Sequence, residues 1–429
     1  MMRTHARAWA PAPRRAGFGF PPDLGLVLTS LIILAVSGGL LWVVGINYDG
    51  LTGGQAQKVH PASYLCVLLV AWQMLRRGNP VANVVSAAEH APASFLLAAA
   101  GIAMALQITL RGASGAAGAI DSFLQPALVM ILLIDRDARS LGRLETLVHA
   151  VMAVNALLGI VEFATGQRFF PFRLDGATFE TDTRSAALQG HPLGNATLTA
   201  CYVLALIAGG GSLKPLTRLG MIAVQLVALV TFGGRSAIIV TLLLGGAFGI
   251  VQLLRAVARG RIPLLAAAGA ACALPLVASA VAALAFGGFF DALLGRFAAD
   301  GGSANARVAM FDLFSRLPLR DLVLGPDPTL VDSLRRITGL EWGIEHPIIR
   351  VVLYQGGLMA LLLTVAVTLF LCEVGRRCRP GFALPMVAFV ILINTFESLG
   401  GKTTLLAKFV LVLVALYRPI PDNRAAGRL

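Results

Sequence analysis

Residues 343–363, GIEHPIIRVVLYQGGLMALLL, place a histidine directly before an apolar run of the kind that crosses a membrane. The hydrophilic stretch that precedes His346 is the longest in the chain, so this histidine is expected where water meets lipid. Polar side chains are costly at that depth and are retained there mainly for function. His346, flanked by Glu345 and Arg350, is therefore the first candidate functional residue.

The composition of the chain is that of a polytopic membrane protein. Mean hydropathy is +0.79. Hydrophobic residues make up 57% of the 429 residues and charged residues only 13%, where a soluble domain has about 25% charged residues. Runs long enough to cross a hydrocarbon layer of roughly 30 Å predict an all-α fold of about twelve helices. These helices are expected near residues 24–46, 61–75, 92–110, 119–134, 144–164, 192–210, 219–233, 236–254, 263–286, 347–371, 382–399 and 401–417.

Basic residues cluster on every second connection between the predicted helices, which is the pattern that fixes orientation in a membrane. They comprise Arg3, Arg7, Arg14, Arg15, Arg76, Arg77, Arg136, Arg139, Arg143, Lys214, Arg218, Arg255, Arg259, Arg261, Arg376, Arg377, Arg379, Arg418, Arg424 and Arg428. Both termini are therefore predicted to be cytoplasmic.

The predicted organisation is a cytoplasmic segment 1–23, a membrane domain 24–417 and a cytoplasmic tail 418–429. Two connections, 165–191 and 287–346, fall on the outer side, the second of them between the ninth and tenth helices. In the larger loop, residues 305–317 have the apolar spacing of an amphipathic helix that lies on a membrane surface.

The net charge of +13 would suggest a nucleic-acid partner in a soluble protein. Here the orientation rule and anionic lipid headgroups account for the basic loops, so membrane lipid is expected as partner and nucleic acid is not. The cysteines lie in predicted helices or at a cytoplasmic end, at Cys66, Cys201, Cys272, Cys372 and Cys378. This placement predicts neither a disulfide framework nor a metal site.

Arg184, Arg235 and His346 come from three regions of the sequence but all map to outer ends of predicted helices. Two guanidinium groups that face one cavity suit a diphosphate, because the planar fork pairs with phosphate oxygens and keeps its charge. The alternative for each arginine alone is a side chain that extends to the headgroups. Their shared placement with His346 favours a binding site.

Lys402 and Lys408 follow Glu397 in the region of the last two helices. A lysine inside a membrane helix is expected to be paired, and Glu397 is the predicted partner. Contact with the diphosphate of a substrate is the alternative role for these lysines.

Four segments of the chain follow, in order, the pattern of one known family. They are RSAALQGHPLGNA at 184–196, GGRSAIIV at 233–240, NARVAMFDLFSRLPLRDLVLGPDP at 305–328 and EHPIIRVVLYQGGLMALLL at 345–363. In this order the chain resembles the superfamily of O-antigen ligases and Wzy-type polymerases, including VpsF-like exopolysaccharide proteins. The resemblance covers residues 184–363, and the helix plan with its large outer loop extends it to the whole chain.

The resemblance implies an enzyme of the bacterial inner membrane with a periplasmic active face. It would transfer a glycan from undecaprenyl diphosphate to an acceptor sugar hydroxyl by a single inverting displacement, without cofactor or metal. The implied partners are the lipid-linked oligosaccharide, a polysaccharide acceptor and other exopolysaccharide assembly proteins. Both polymerisation of repeats and ligation to another acceptor fit this reading.

The resemblance also implies roles for individual residues. Diphosphate or substrate binding falls to Arg184, Arg235, Arg307 and Arg350, and His346 would be the base or an orienting group, supported by Glu345. Two positions depart from the family pattern. Pro347 follows the histidine where asparagine is usual, and Gly234 precedes Arg235 where serine is frequent.

Two other classes of function compete with the enzyme. A transporter or lipid flippase would also need cationic residues in a cavity, although transporters place such groups near the bilayer midplane in paired halves. A non-catalytic scaffold of a polysaccharide secretion complex would leave His346 and the arginines dispensable.

Overall fold

The computed structural model describes residues 22–50, 52–76, 78–134, 136–174, 177–178, 184–260, 303–340, 344, 346–396 and 398–418. The helices are α1 Pro22–Ala35, α2 Gly38–Val43, α3 Pro61–Arg76, α4 Pro80–His90, α5 Pro92–Leu110, α6 Ala116–Leu133, α7 Ala138–Thr165, α8 Pro192–Ile207, α9 Pro215–Phe232, α10 Arg235–Ala258, α11 Ser303–Ser315, α12 Leu319–Leu324, α13 Pro328–Ile337, α14 Pro347–Gln355, α15 Gly357–Arg376, α16 Ala383–Ile393 and α17 Leu405–Leu416. Short 3-10 turns lie at Gln55–Lys58, Ala187–Gln189 and Ser398–Gly400. Strands β1 Arg173–Leu174 and β2 Ala177–Thr178 form a two-residue antiparallel ladder with Arg173 opposite Thr178.

Six helices in the described ranges are long and apolar enough to cross a membrane by length and composition: α5, α6, α7, α9, α10 and α15. The shorter apolar helices are α1, α8, α16 and α17. The protein is thus helical and has the composition of a polytopic membrane protein. The predicted helix 263–286 lies outside the described residues.

Several predicted helices are reproduced closely, but two were wrong as single helices. The predicted helix 24–46 is interrupted at Val36 and Ser37, where the Ser37 hydroxyl accepts the Leu40 N–H at 3.4 Å and caps a new helix. The predicted helix 347–371 is interrupted at Gly356, which has φ +93° and ψ 160°. Helix α4 was not predicted, because its apolar positions are too few to suggest a membrane span.

Proline at the first helical position explains where many of these helices begin. Its missing N–H has no partner there in any helix, and its fixed φ suits the first turn. Such prolines open α3, α4, α5, α8, α9, α13 and α14, at Pro61, Pro80, Pro92, Pro192, Pro215, Pro328 and Pro347.

Arginines close one end of the bundle, which we call the inner end. Arg379 donates to the carbonyl oxygen of Gly209 at 3.0 Å, and Arg418 pairs with Glu145 at 3.2 Å. The sequence predicts both on the cytoplasmic side, Arg379 in a loop and Arg418 at the start of the C-terminal tail. The core between the two ends is built around α17, of which every residue from Leu405 to Leu416 is buried.

Candidate functional site

Arg184 and Arg235 come close together at the opposite, outer end of the bundle. Residues 184–190, the arginine segment, lead into α8. The Ser185 N–H donates to the carbonyl oxygen of Thr231 at 3.1 Å, in the last turn of α9. A turn through Gly233, with φ +65°, then leads to Arg235 at the start of α10. The Ser185–Thr231 hydrogen bond and the turn at Gly233 therefore bring the main chains of the two half-buried arginines together.

A buried glutamate side chain holds the arginine segment by hydrogen bonds. Glu162, in the last turn of α7, is fully buried. One of its oxygens accepts the N–H groups of Ala186 and Ala187 at 3.0 and 2.9 Å. The other oxygen accepts the Phe169 N–H at 3.0 Å. The carboxylate thus binds main-chain amides from both ends of the 165–191 loop.

Three histidines in this protein stand directly before a proline at a helix start. They are His60, His191 and His346, which precede α3, α8 and α14. In each case the imidazole Nδ1 accepts a main-chain N–H from the following turn, at 3.3, 3.2 and 3.5 Å respectively. Because Nδ1 accepts a hydrogen bond, the single N–H proton of each neutral ring is on Nε2.

His191 and His346 are linked through the described residues of the connection 394–404, called the hairpin below. The His191 ring lies against Phe172, with centroids 4.4 Å apart, and against Phe396 at 5.8 Å. Further along the hairpin, a Cβ on Gly400 would stand 2.9 Å from Pro347 Cα. The hairpin therefore contacts the starts of both α8 and α14.

Arg350 lies one turn into α14, on the same side of the hairpin as Pro347. A Cβ on Gly400 would be 3.2 Å from its Cδ. Its guanidinium carbon is 5.4 Å from the ring centroid of Tyr354, whose hydroxyl donates to Asp332 at 2.6 Å. Burial lowers the pKa of His346, so its imidazole is neutral at pH 7.

An apolar groove of about 780 Å³ begins at this point. Its outer end is formed by Pro347 and Gly400, and its inner end by Arg376 and Cys378. Along α15 the lining positions recur three and four residues apart, at Ala360, Leu363, Thr364, Val367, Thr368, Leu371, Cys372, Gly375 and Arg376. One face of α15 therefore lines the groove over about 24 Å, and the facing side comes from α16.

A second polar cluster surrounds Asp121, in the π-helical turn of α6. Its fully buried carboxylate accepts hydrogen bonds from the Tyr48 hydroxyl at 3.0 Å, the Ser63 hydroxyl at 2.7 Å and the His60 N–H at 3.0 and 3.1 Å. Lys402 lies 3.1 Å from the Tyr48 ring centroid and donates to the Tyr48 carbonyl oxygen at 2.5 Å. This network fastens the hairpin to α6 and to residues 48–63.

Lys402 also forms an ion pair with Asp49, at 3.8 Å. Burial raises the pKa of Asp49 to about 6. Burial lowers the pKa of Lys402 to about 8, although the charges of Asp49 and Asp121 act in the opposite direction. Burial and the charge of Lys408 lower the pKa of His60 to about 3, so this histidine stays neutral.

The predicted pairing of the lysines with Glu397 stays a prediction, because Glu397 lies outside the described residues. Lys402 contacts Tyr48 and Asp49, which are distant in sequence. Lys408 belongs to α17 and is buried in the core of the bundle. Glu397 and Glu345 lie outside the described residues, as does the side chain of Arg307, although its backbone belongs to α11.

Sequence reasoning missed Glu162, His191 and Asp121. Glu162 and Asp121 were each a single acidic residue inside an apolar run, which is itself a signal of function or of a buried partner. His191 was quoted within a motif but not singled out, although the repeated His-Pro pair links it to His346.

Comparison of the chain with protein-family models, with curated proteins and with solved structures finds no match. The fold itself defines the class of protein. The described chain is helical, with six helices long and apolar enough to cross a membrane, and carries an apolar groove that ends at Pro347.

Proposed function

We propose that this protein is a glycosyltransferase of the bacterial inner membrane, which acts at the periplasmic face on a glycan linked to undecaprenyl diphosphate. It would polymerise repeats into exopolysaccharide or ligate the glycan to an acceptor, as the resemblance to O-antigen ligases and Wzy-type polymerases suggests. One observation carries the proposal. The apolar groove ends at Pro347, directly beside His346 and Arg350, so a lipid tail in the groove brings its headgroup to these residues.

The groove suits the tail of a lipid-linked donor. Its lining is apolar over most of its length, and the half-exposed Ile348 and Val390 show that it opens on the surface of the bundle. A polyprenyl chain can therefore enter from the lipid and remain in an apolar environment. The diphosphate then lies at the outer end, in the region of the arginines.

The reaction requires stabilisation of the leaving group. An acceptor sugar hydroxyl attacks the anomeric carbon, the bond from that carbon to the diphosphate oxygen breaks, and the lipid diphosphate leaves with additional negative charge. Arg184 and Arg235 would neutralise that charge, since fixed cations in a poorly hydrated site stabilise developing anions strongly. The hydroxyl proton passes to water or to an oxygen of the departing diphosphate as the new glycosidic bond forms, with inversion of configuration.

His346 would act near the acceptor as a hydrogen-bond donor. Its Nδ1 accepts the Ile349 N–H, so the proton is on Nε2 and no lone pair faces outward from that nitrogen. A neutral imidazole in this tautomer orients a hydroxyl or donates to a phosphate oxygen. Of the two roles that the sequence left open, this geometry favours the orienting group over the base.

The arginine variants test the proposal. Purified protein in lipid nanodiscs is given polyprenyl-diphosphate-linked oligosaccharide and acceptor glycan, and released polyprenyl diphosphate is measured by chromatography. We expect Arg184→Lys and Arg235→Lys each to reduce turnover by about 100-fold, the effect of losing one charge-stabilising donor. Arg218→Lys, at the inner end, is the control. Full activity of both outer variants would contradict diphosphate binding and would leave these arginines with the alternative role of contacts to lipid headgroups.

One observation favours the transporter as the second candidate. Asp121 and Lys408 are buried charged residues within helices of the bundle, where transporters commonly hold coupling ions. However, Tyr48, Ser63 and the His60 amide satisfy the Asp121 carboxylate from within the protein. A flippase would move the donor between leaflets without cleaving it, which separates the two functions.

A further inference from the structure

Glu162 occupies a main-chain anion site of a kind that usually receives phosphate or another ligand. Ala186 has φ −102° and ψ −30° and Ala187 has φ +45°, so consecutive N–H groups turn toward one acceptor. Such a right-handed and left-handed pair forms a concave anion-binding nest. The Glu162 carboxylate fills this nest at 3.0 and 2.9 Å.

The nest is a strained conformation. Ala187 is the one residue other than glycine with positive φ among the described residues. The left-handed region is unfavourable for alanine, because Cβ approaches the following carbonyl oxygen. Conformations of this kind persist only where the surroundings hold them, and they concentrate at functional sites. Here the surroundings are the hydrogen bonds that the Glu162 carboxyl group accepts from Ala186 and Ala187.

The rest of the arginine segment is fixed in the same way. The Ser185 hydroxyl donates to the Gly159 carbonyl oxygen at 2.8 Å, and Asn195 Nδ2 donates to the Ala186 carbonyl oxygen at 3.1 Å. Ser185, Ala186 and Ala187 are all buried. Arg184 therefore directly precedes a buried segment that is held in place by hydrogen bonds.

We propose that Glu162 is a positioning residue for Arg184. Its carboxylate holds Ala186 and Ala187 in the nest, and this fixes the backbone of Arg184 beside the start of α10. The Arg184 guanidinium can then bind the diphosphate of the donor without an entropic cost for ordering the arginine segment. The inference rests on the proposed function for the identity of the anion, and on the geometry alone for the anchor.

Glu162→Gln tests the anchor and its consequence in the full-length protein. The glutamine side chain keeps the size but replaces one acceptor oxygen by a donor, which opposes the main-chain N–H groups. Glu145→Gln is the matched control, since Glu145 lies in the same helix, is buried and accepts from Ser212 at the inner end. Both variants are compared with wild type at equal expression and after the same purification.

Trypsin cleavage after Arg184 is the first measurement, and it does not depend on any enzymatic activity. We expect Glu162→Gln to raise the rate of this cleavage at least about 10-fold, while Glu145→Gln leaves it at the wild-type value. Unchanged cleavage in Glu162→Gln would show that the carboxylate does not hold the segment, and would overturn the proposal whatever the activity.

Turnover and binding of undecaprenyl diphosphate are the second measurement. We expect turnover of Glu162→Gln to fall by about 100-fold, the effect of misplacing a group by about 1 Å. The double variant Glu162→Gln with Ala187→Gly should recover part of it, because glycine adopts positive φ without strain. Raised cleavage with unchanged turnover and binding would overturn the proposal.

The two proposals fail in different ways. If wild-type protein consumes no lipid-linked glycan, the glycosyltransferase fails, but binding of undecaprenyl diphosphate still decides the role of Glu162. Weaker binding in Glu162→Gln and unchanged binding in Glu145→Gln would support positioning of Arg184 for an anion. Equal binding in both would overturn it.

Discussion

At the residue scale, His346 caps a helix and is also the residue that the proposed function places beside the acceptor hydroxyl. His60 shows the purely structural version of the same arrangement, since its Nδ1 accepts a main-chain N–H while its Nε2 lies 3.1 Å from the Val36 carbonyl oxygen in a buried site. His346 makes the same Nδ1 contact but is only partly buried, at the mouth of the groove. The capping contact and the chemistry can be separated by substitution.

We predict that His346→Asn folds like wild type but loses turnover. Asparagine is among the best N-capping residues, so the start of α14 is preserved, whereas His346→Ala also loses about 1 kcal/mol of capping stability. Turnover and thermal unfolding of both variants are measured in the same nanodiscs. Wild-type turnover in His346→Asn would show that the histidine serves only as a helix cap and would contradict its role in the reaction.

The Lys402–Asp49 pair predicts a pH window. Asp49 ionises with a pKa of about 6 and Lys402 deprotonates with a pKa of about 8, so both are charged together between these values. The pKa of Lys402 lies below its ordinary value of 10.5, so the folded state releases this proton more readily than the unfolded chain. For this group alone, stability therefore increases as the pH rises through about 8 toward 10.5.

We predict that acylation of Lys402, followed by mass spectrometry, has its midpoint near pH 8. In Asp49→Asn the midpoint should move to lower pH, because the carboxylate that favours the ammonium form is gone. A wild-type midpoint near 10.5 would contradict the burial of the amine.

Residue-level prediction from the sequence reaches helix ends, which hydropathy marks, but not the contacts of Lys402, which depend on the tertiary fold. Hydropathy predicts that Arg184, Arg235 and His346 lie near helix ends, and they stand in the segment that leads into α8, at the start of α10 and directly before α14. The contacts of Lys402 with Tyr48 and Asp49 join residues far apart in the chain, and local reasoning favoured the neighbouring Glu397.

At the scale of elements, Gly356 decides how the outer loop joins the bundle. Its φ of +93° and ψ of 160° belong to a region that only glycine adopts readily. A Cβ there would stand 2.7 Å from the carbonyl carbon of Leu324 and from the carbonyl oxygen of Val323. The end of α12 therefore packs directly against the break between α14 and α15.

We predict that Gly356→Ala lowers the free energy of unfolding by about 1–3 kcal/mol from backbone strain. The steric contact with Val323 and Leu324 adds to this loss. Gly246→Ala is the control, because Gly246 lies within α10 with open space around it and should gain up to about 1 kcal/mol. Equal thermal unfolding midpoints for wild type and Gly356→Ala would contradict the packing at this break.

Element boundaries were predictable where proline or a charged cap marks them, and unpredictable where an apolar run continues through a break. The predicted helix 92–110 coincides with α5, which opens at Pro92. The break at Gly356 lies within the predicted run 347–371, where Gln355, Gly356 and Gly357 interrupt the apolar residues only briefly, so a hydropathy average does not indicate it. Its cause is the packing of α12, which is a tertiary contact.

At the scale of the whole molecule, the apolar groove extends along the bundle from Pro347 and Gly400 to Arg376 and Cys378. Thr368 and Leu369 are consecutive exposed residues of α15, but only Thr368 lines the groove. We predict that Thr368→Trp blocks the lipid tail and raises the KM for lipid-linked donor at least about 10-fold, while Leu369→Trp leaves it unchanged. Equal KM values for the two tryptophan variants would show that the donor lies elsewhere.

The fate of the donor lipid tests the central claim most directly. Wild-type protein is reconstituted with a fluorescent polyprenyl-diphosphate-linked oligosaccharide and an acceptor glycan, and the products and their leaflet are determined. A glycosyltransferase yields an extended or ligated glycan together with free polyprenyl diphosphate, in equal amounts. Donor that is recovered intact, whether it has changed leaflet or not, would contradict the account.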